Sequence, residues 1–146
     1  MSLNTFVLNK ENIMVRIGSI TRTNESVQEP VPHTGFFFRD MTLAGTLPIT
    51  GVGFRPSHVI FLACETSELK HSIGFDDGVT RNAIVTMANL TNDPELSTGL
   101  SVRLDSSGSD IFRGEILTMD SDGFTMNFTK TNSPTGTARV VFLAFK

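Results

Sequence analysis

Short apolar stretches broken by polar turns organise this chain, and their period is two rather than three or four. The clearest case is Phe124, Met126 and Phe128, which alternate with Thr125, Asn127 and Thr129. Successive side chains of a strand point to opposite faces, so this run predicts a strand with one buried and one wet face. Leu100, Val102 and Leu104 repeat the pattern. Residues 80–88 and 112–119 predict further strands, with Gly114 marking a candidate bulge in the second. Two other runs, Val59-Ile60-Phe61-Leu62-Ala63-Cys64 and residues 140–145, are apolar at odd and even positions alike. A strand of that kind is expected to be covered on both sides, at the centre of a sandwich or at a subunit contact.

The punctuation agrees. Asp77-Gly78 and Asp122-Gly123 are hairpin dipeptides. Residues 50–56, residues 91–94 and Asn132-Ser133-Pro134-Thr135-Gly136 are turn-rich links. No segment carries three turns of helical period; only Pro94-Glu95-Leu96 could hold a single turn. Strands spaced every 8–12 residues or so predict an all-β fold, an antiparallel β-sandwich or jelly-roll-like domain.

Two regions follow from the patterning. Residues 35–146 read as the sandwich domain. Residues 1–34 read as an extended N-terminal arm with two apolar runs, residues 3–8 and residues 13–17. In the second run Ile13, Val15 and Ile17 alternate with polar or longer side chains, and Pro30 and Pro32 hold the approach to the domain extended. Such an arm is suited to adding strands to a neighbouring subunit. Phe6, Ile13, Val15 and Ile17 are its candidate interface residues. Phe36, Phe37 and Phe38 join them, because three consecutive strand residues cannot all face one core.

Composition narrows the function. The 146 residues suit one domain and a core large enough to need no staples. Net charge is −3, with Lys and Arg scattered, so the chain lacks the basic footprint of a nucleic-acid binder. No apolar run reaches the length of a membrane helix, and the first residues do not have a signal peptide's pattern. The chain is therefore expected to be made and to remain in a cytoplasm, with neither nucleic acid nor membrane as partner.

Candidate chemistry is thin. Asp120-Ser121-Asp122-Gly123 imitates the start of a calcium loop, but the twelfth position is Thr131 and a hairpin explains the residues. Asp76-Asp77-Gly78 reads the same way. His33, His58 and His71 lack metal-ligand spacing and are expected to be ordinary hydrogen-bonded side chains. The single cysteine, Cys64, is expected to be a buried small hydrophobe. There is no Gly-x-Ser-x-Gly elbow, and Gly51-Val52-Gly53 lacks the third glycine and helix of a phosphate loop. The expectation is a chain with no enzymatic activity and no cofactor.

Residues 49–56, 59–63 and 72–78, followed by 120–125 and 141–144, together resemble a β-rich domain of tailed-bacteriophage virion proteins, over roughly residues 42–146. The resemblance implies a structural component of the virion, assembled in the host cytoplasm. Two roles are open. One is a head decoration, or cement, protein that binds the major capsid protein at capsomer junctions as a homotrimer. The other is a tail fibre or spike tip that binds a host receptor or glycan. Adhesive sites favour Tyr and Trp, and this chain has 12 Phe and neither of the others. A fibre also needs a shaft that 146 residues do not provide. Both points favour the cement role.

Overall fold

The structure, a computed structural model, describes residues 31–66, 70–86, 94–105 and 109–146. Within them the chain is all β, ten strands in two antiparallel sheets. The strands are β1 (His33–Asp40), β2 (Gly45–Thr50), β3 (His58–Glu65), β4 (His71–Asp76), β5 (Arg81–Thr86), β6 (Pro94–Thr98), β7 (Val102–Asp105), β8 (Ile111–Asp120), β9 (Gly123–Thr131) and β10 (Thr137–Phe145). Six form one sheet in the order β1-β10-β3-β4-β5-β6, and four form the other in the order β2-β9-β8-β7. Long-range pairing dominates: the last strand inserts between β1 and β3, so the larger sheet is incomplete until the C-terminal residues arrive.

The core between the sheets is aromatic. Phe124, Met126 and Phe128 of β9 are all buried, as their alternation predicts. Phe128 stacks on Phe112 at 5.1 Å between ring centres, and Phe124 meets Phe142 edge to face at 5.1 Å and Phe61 at 5.7 Å. Offset or perpendicular rings satisfy the aromatic quadrupole better than face-to-face sandwiches. Glycine makes room for them: a Cβ on Gly114 would stand 2.7 Å from the Phe128 ring.

Several local expectations change. Strand β1 begins at His33, which pairs with Ala144 of β10. The register shift in β8 falls between Ile116 and Thr118, not at Gly114, whose role is to admit Phe128. Residues 94–98 are a strand and not a helical turn, because β5 offers a free edge that pairs Ile84 with Leu96. The β8–β9 hairpin turns on Ser121 and Asp122, with Asp120 paired to Gly123.

Candidate functional site

The two sheets have opposite outer surfaces. The outer side of the four-stranded sheet presents Arg113, Glu115, Thr125, Asn127 and Thr129, ordinary polar positions. The outer side of the six-stranded sheet is apolar. Register explains how. Phe36 pairs with Val141, Val141 with Leu62, Leu62 with Ile73, Ile73 with Ile84, and Ile84 with Leu96. One apolar side chain from every strand thus lies in a single row across the whole sheet. All six are exposed, from 44% for Leu62 to 71% for Phe36. At strand spacing the row is about 24 Å long.

The flanking rows define its borders. On one side Phe38, Arg139, Cys64, His71 and Thr86 lie in register, and on the other Leu143, Ile60, Phe75 and Asn82. A groove of about 520 Å³ runs along the first border, lined by Phe36, Phe38, Leu62, Ile73 and Val141 with Cys64, His71 and Arg139. A second, about 340 Å³, lies between Ile73, Phe75, Ile84 and Leu96. Both grooves open on the same outer face. The charges beside the row are cationic or neutral: Arg139 is exposed, and His71 Nε2 lies 3.1 Å from Thr86 Oγ1.

This arrangement corrects two expectations. Cys64 is exposed and not a buried hydrophobe, because Val59, Phe61 and Ala63 take the core side of β3 and leave Leu62 and Cys64 on the outer side. The doubly apolar pattern of β3 and β10 therefore reflects one core face and one bare apolar face among the described residues. The three phenylalanines of β1 also divide. Phe36 and Phe38 are exposed and meet edge to face at 5.7 Å. Phe37 points inwards against Phe128 and Phe142, so it belongs to the core and not to an interface. Phe6, Ile13, Val15 and Ile17 lie outside the described residues.

The carboxylates are occupied by structural work. Asp122 accepts hydrogen bonds from the amides of Gly51 (3.1 Å) and Gly53 (2.6 Å), tying the β2–β3 link to the β8–β9 hairpin. Asp120 accepts from Thr118 and Thr125 hydroxyls. The pair flagged as a calcium-like start is thus a hairpin clamp. Asp77 accepts from the amides of Val79 and Thr80, and these bonds hold its carboxyl below the usual carboxylate range. No three His, Cys, Asp or Glu side chains among the described residues are grouped to hold a metal.

One polar cluster is buried. Asp76 is fully enclosed; it accepts from the Ser101 hydroxyl and from the amides of Ile116 and Gly78, each amide at 2.8 Å. Arg81 Nε lies 3.3 Å from it, close enough for an ion pair though not aligned as a hydrogen bond. Arg81 also donates to Ile116 carbonyl at 2.9 Å and to Glu115 at 3.2 Å. Ser101 and Asp76 are closed to solvent, so the pair has no substrate access. Its effect is to join β4 and β5 to β8 across the sandwich. Sequence reasoning missed this cluster, because the packing of one sheet on the other, not spacing along the chain, brings Asp76, Ser101 and Ile116 together.

The most developed surface feature is therefore the apolar row and not a reactive cleft. No protein-family model, curated protein or solved structure matches this chain.

Proposed function

We propose that this chain is a non-catalytic structural subunit that docks through the outer face of its six-stranded sheet, acting as a head decoration protein of a tailed phage. Its partner is the major capsid protein, met at capsomer junctions by trimers of this chain in the virion. The observation that supports docking is the unbroken row of Phe36, Val141, Leu62, Ile73, Ile84 and Leu96. The virion setting rests on the resemblance of the strand and turn sequences. A contiguous apolar strip, flanked by a mixed row that holds Arg139 and His71 and by a mostly apolar row of Leu143, Ile60 and Phe75, has the composition of an interface core. The cationic border at Arg139 calls for a partner surface that is apolar at its centre and carries carboxylates at its edge.

The test is localisation followed by add-back. Gold-labelled antibody against the chain should decorate the heads of the parent particle. Purified chain should rebind heads that lack it, and the Leu62→Lys, Ile73→Lys double variant should not. Label confined to the tail tip would replace the head reading with a receptor-binding one. Undiminished head binding by the double variant would remove the sheet face from the docking role.

A further inference from the structure

We infer that the larger groove on the outer face of the six-stranded sheet is a binding site for an amphiphilic carboxylate, a medium-chain fatty acid whose alkyl chain lies on the apolar row and whose carboxylate meets Arg139. Such a site belongs to the free subunit and goes beyond capsid docking, because no head particle is needed to detect it.

The charge on this face is one-sided. The three in-register rows hold no carboxylate, and Arg139 is their only Lys or Arg. Arg139 is exposed and has no ion pair or hydrogen bond among the described residues. The next outward position of β1 after Phe38 is Asp40, which lies one row farther out, opposite Thr137, and is engaged by Thr42. A guanidinium left without an anion beside apolar surface is complementary to a ligand that brings both a carboxylate and a hydrocarbon body.

The shape fits the same ligand. The groove has a volume of about 520 Å³, inside the range of roughly 300–1,000 Å³ common for small-molecule sites. Arg139, Cys64 and His71 line one wall in register, and Val141, Leu62 and Ile73 line the wall beside it. The second groove continues from Ile73 to Ile84. From Arg139 on β10 to Ile84 on β5 the surface crosses three strand spacings, about 14 Å. An extended alkyl chain of about twelve carbons has that length, given C–C bonds of ~1.5 Å.

The same charge sets aside a second copy of this face as the occupant. Two identical faces brought together would bury Arg139 with no carboxylate in either set of rows to receive it. A fatty acid supplies that group itself.

The test is isothermal titration calorimetry of the full chain with laurate below its micelle concentration. One saturable site is expected. Cys64 reports occupancy, since it is exposed between Arg139 and His71. Laurate should protect it from N-ethylmaleimide, with half-protection at the calorimetric Kd. Dodecanol and dodecyltrimethylammonium should bind about tenfold more weakly than laurate, because neither offers a carboxylate to the guanidinium. Decanoate should bind several-fold more weakly, because less chain is buried. Arg139→Gln should weaken laurate about tenfold while leaving dodecanol unchanged, and Arg139→Lys should restore part of the loss. Absence of a saturable laurate site would overturn the assignment. Equal affinity for laurate and dodecanol, or wild-type laurate affinity in Arg139→Gln, would also overturn it, since either means apolar adsorption without recognition of a carboxylate. Binding to phosphatidylglycerol vesicles without binding of monomeric laurate would overturn it in favour of a lipid surface. The ligand series on the unmodified chain decides the matter even where a variant does not fold. Head rebinding uses no fatty acid, so docking and the ligand site can each fail without the other.

Discussion

Asp76 is a fully buried carboxylate. Its carboxylate sits in a closed cluster with the Ser101 hydroxyl, two backbone amides and the Arg81 guanidinium. A buried charge is tolerable only when its partners are complete, and deleting one side leaves the other stranded. Asp76→Ala should cost about 1–3 kcal/mol for each buried donor left without its acceptor, the Ile116 amide and the Ser101 hydroxyl, read as a lowered urea midpoint, while Arg81 keeps Glu115 and the Ile116 carbonyl. Asp40 and Asp77 act differently, at exposed turns. Hydrogen bonds from Thr42 to Asp40, side chain first and then backbone, lower its carboxyl below 3.8, and amides of Thr80 and Val79 do the same for Asp77. A carboxyl whose pKa is lower folded than unfolded adds stability above the unfolded value and loses it as pH falls through the folded one. Denaturation midpoints should therefore be flat in this contribution near neutrality and fall on acidification below 3.8. In the Asp40→Asn, Asp77→Asn variant that acid slope should be shallower.

At the scale of the strand, close approach between the sheets sets the tolerance. Gly74 of β4 faces the Ser101 carbonyl, which an added Cβ would meet far inside contact distance. The obstacle is backbone, so it cannot rotate away. Gly74→Ala should push β4 from the β7 side and cost about 1–3 kcal/mol, seen as a lower melting temperature with loss of cooperativity. Legibility in the sequence divides along the same lines. The strands of the smaller sheet could be read well, because Phe124, Met126 and Phe128 alternate with polar residues that do face water. The strands of the larger sheet were read only by half. Leu62 and Ile73 carry the same pattern whether covered or bare, so the pattern shows that both faces of β3 are apolar but not which one is exposed. Cys64 was misplaced for that reason, and Phe37 was grouped with its neighbours although parity puts it on the core side. The Asp76 cluster was invisible for a different reason. Ser101 and Ile116 are 25 and 40 positions from Asp76 and meet it only where the two sheets pack together.

At the largest scale the described residues form a sandwich with one polar and one apolar outer surface, and that asymmetry separates stability from docking. The core residues under the row, such as Phe61, Val140 and Phe142, face the other way and do not depend on it. Replacing Leu62 and Ile73 by Lys therefore exchanges exposed apolar area for charge without opening a cavity, and since the two are cross-strand partners their ammonium groups repel at a cost of about 0.2–1 kcal/mol. Long lysine stems also keep some cover over the β-sheet while the ammonium groups stay in water. The double variant should consequently melt within a few degrees of the parent chain by circular dichroism. Any partner that must desolvate the row would instead have to bury two ammonium groups, a penalty of several kcal/mol, enough to abolish binding at micromolar concentration. A protein that melts normally and no longer docks is the signature of a face kept apolar for contact. A protein that unfolds would show that the row belongs to the stability of the sheet itself, and the docking role would lose its support.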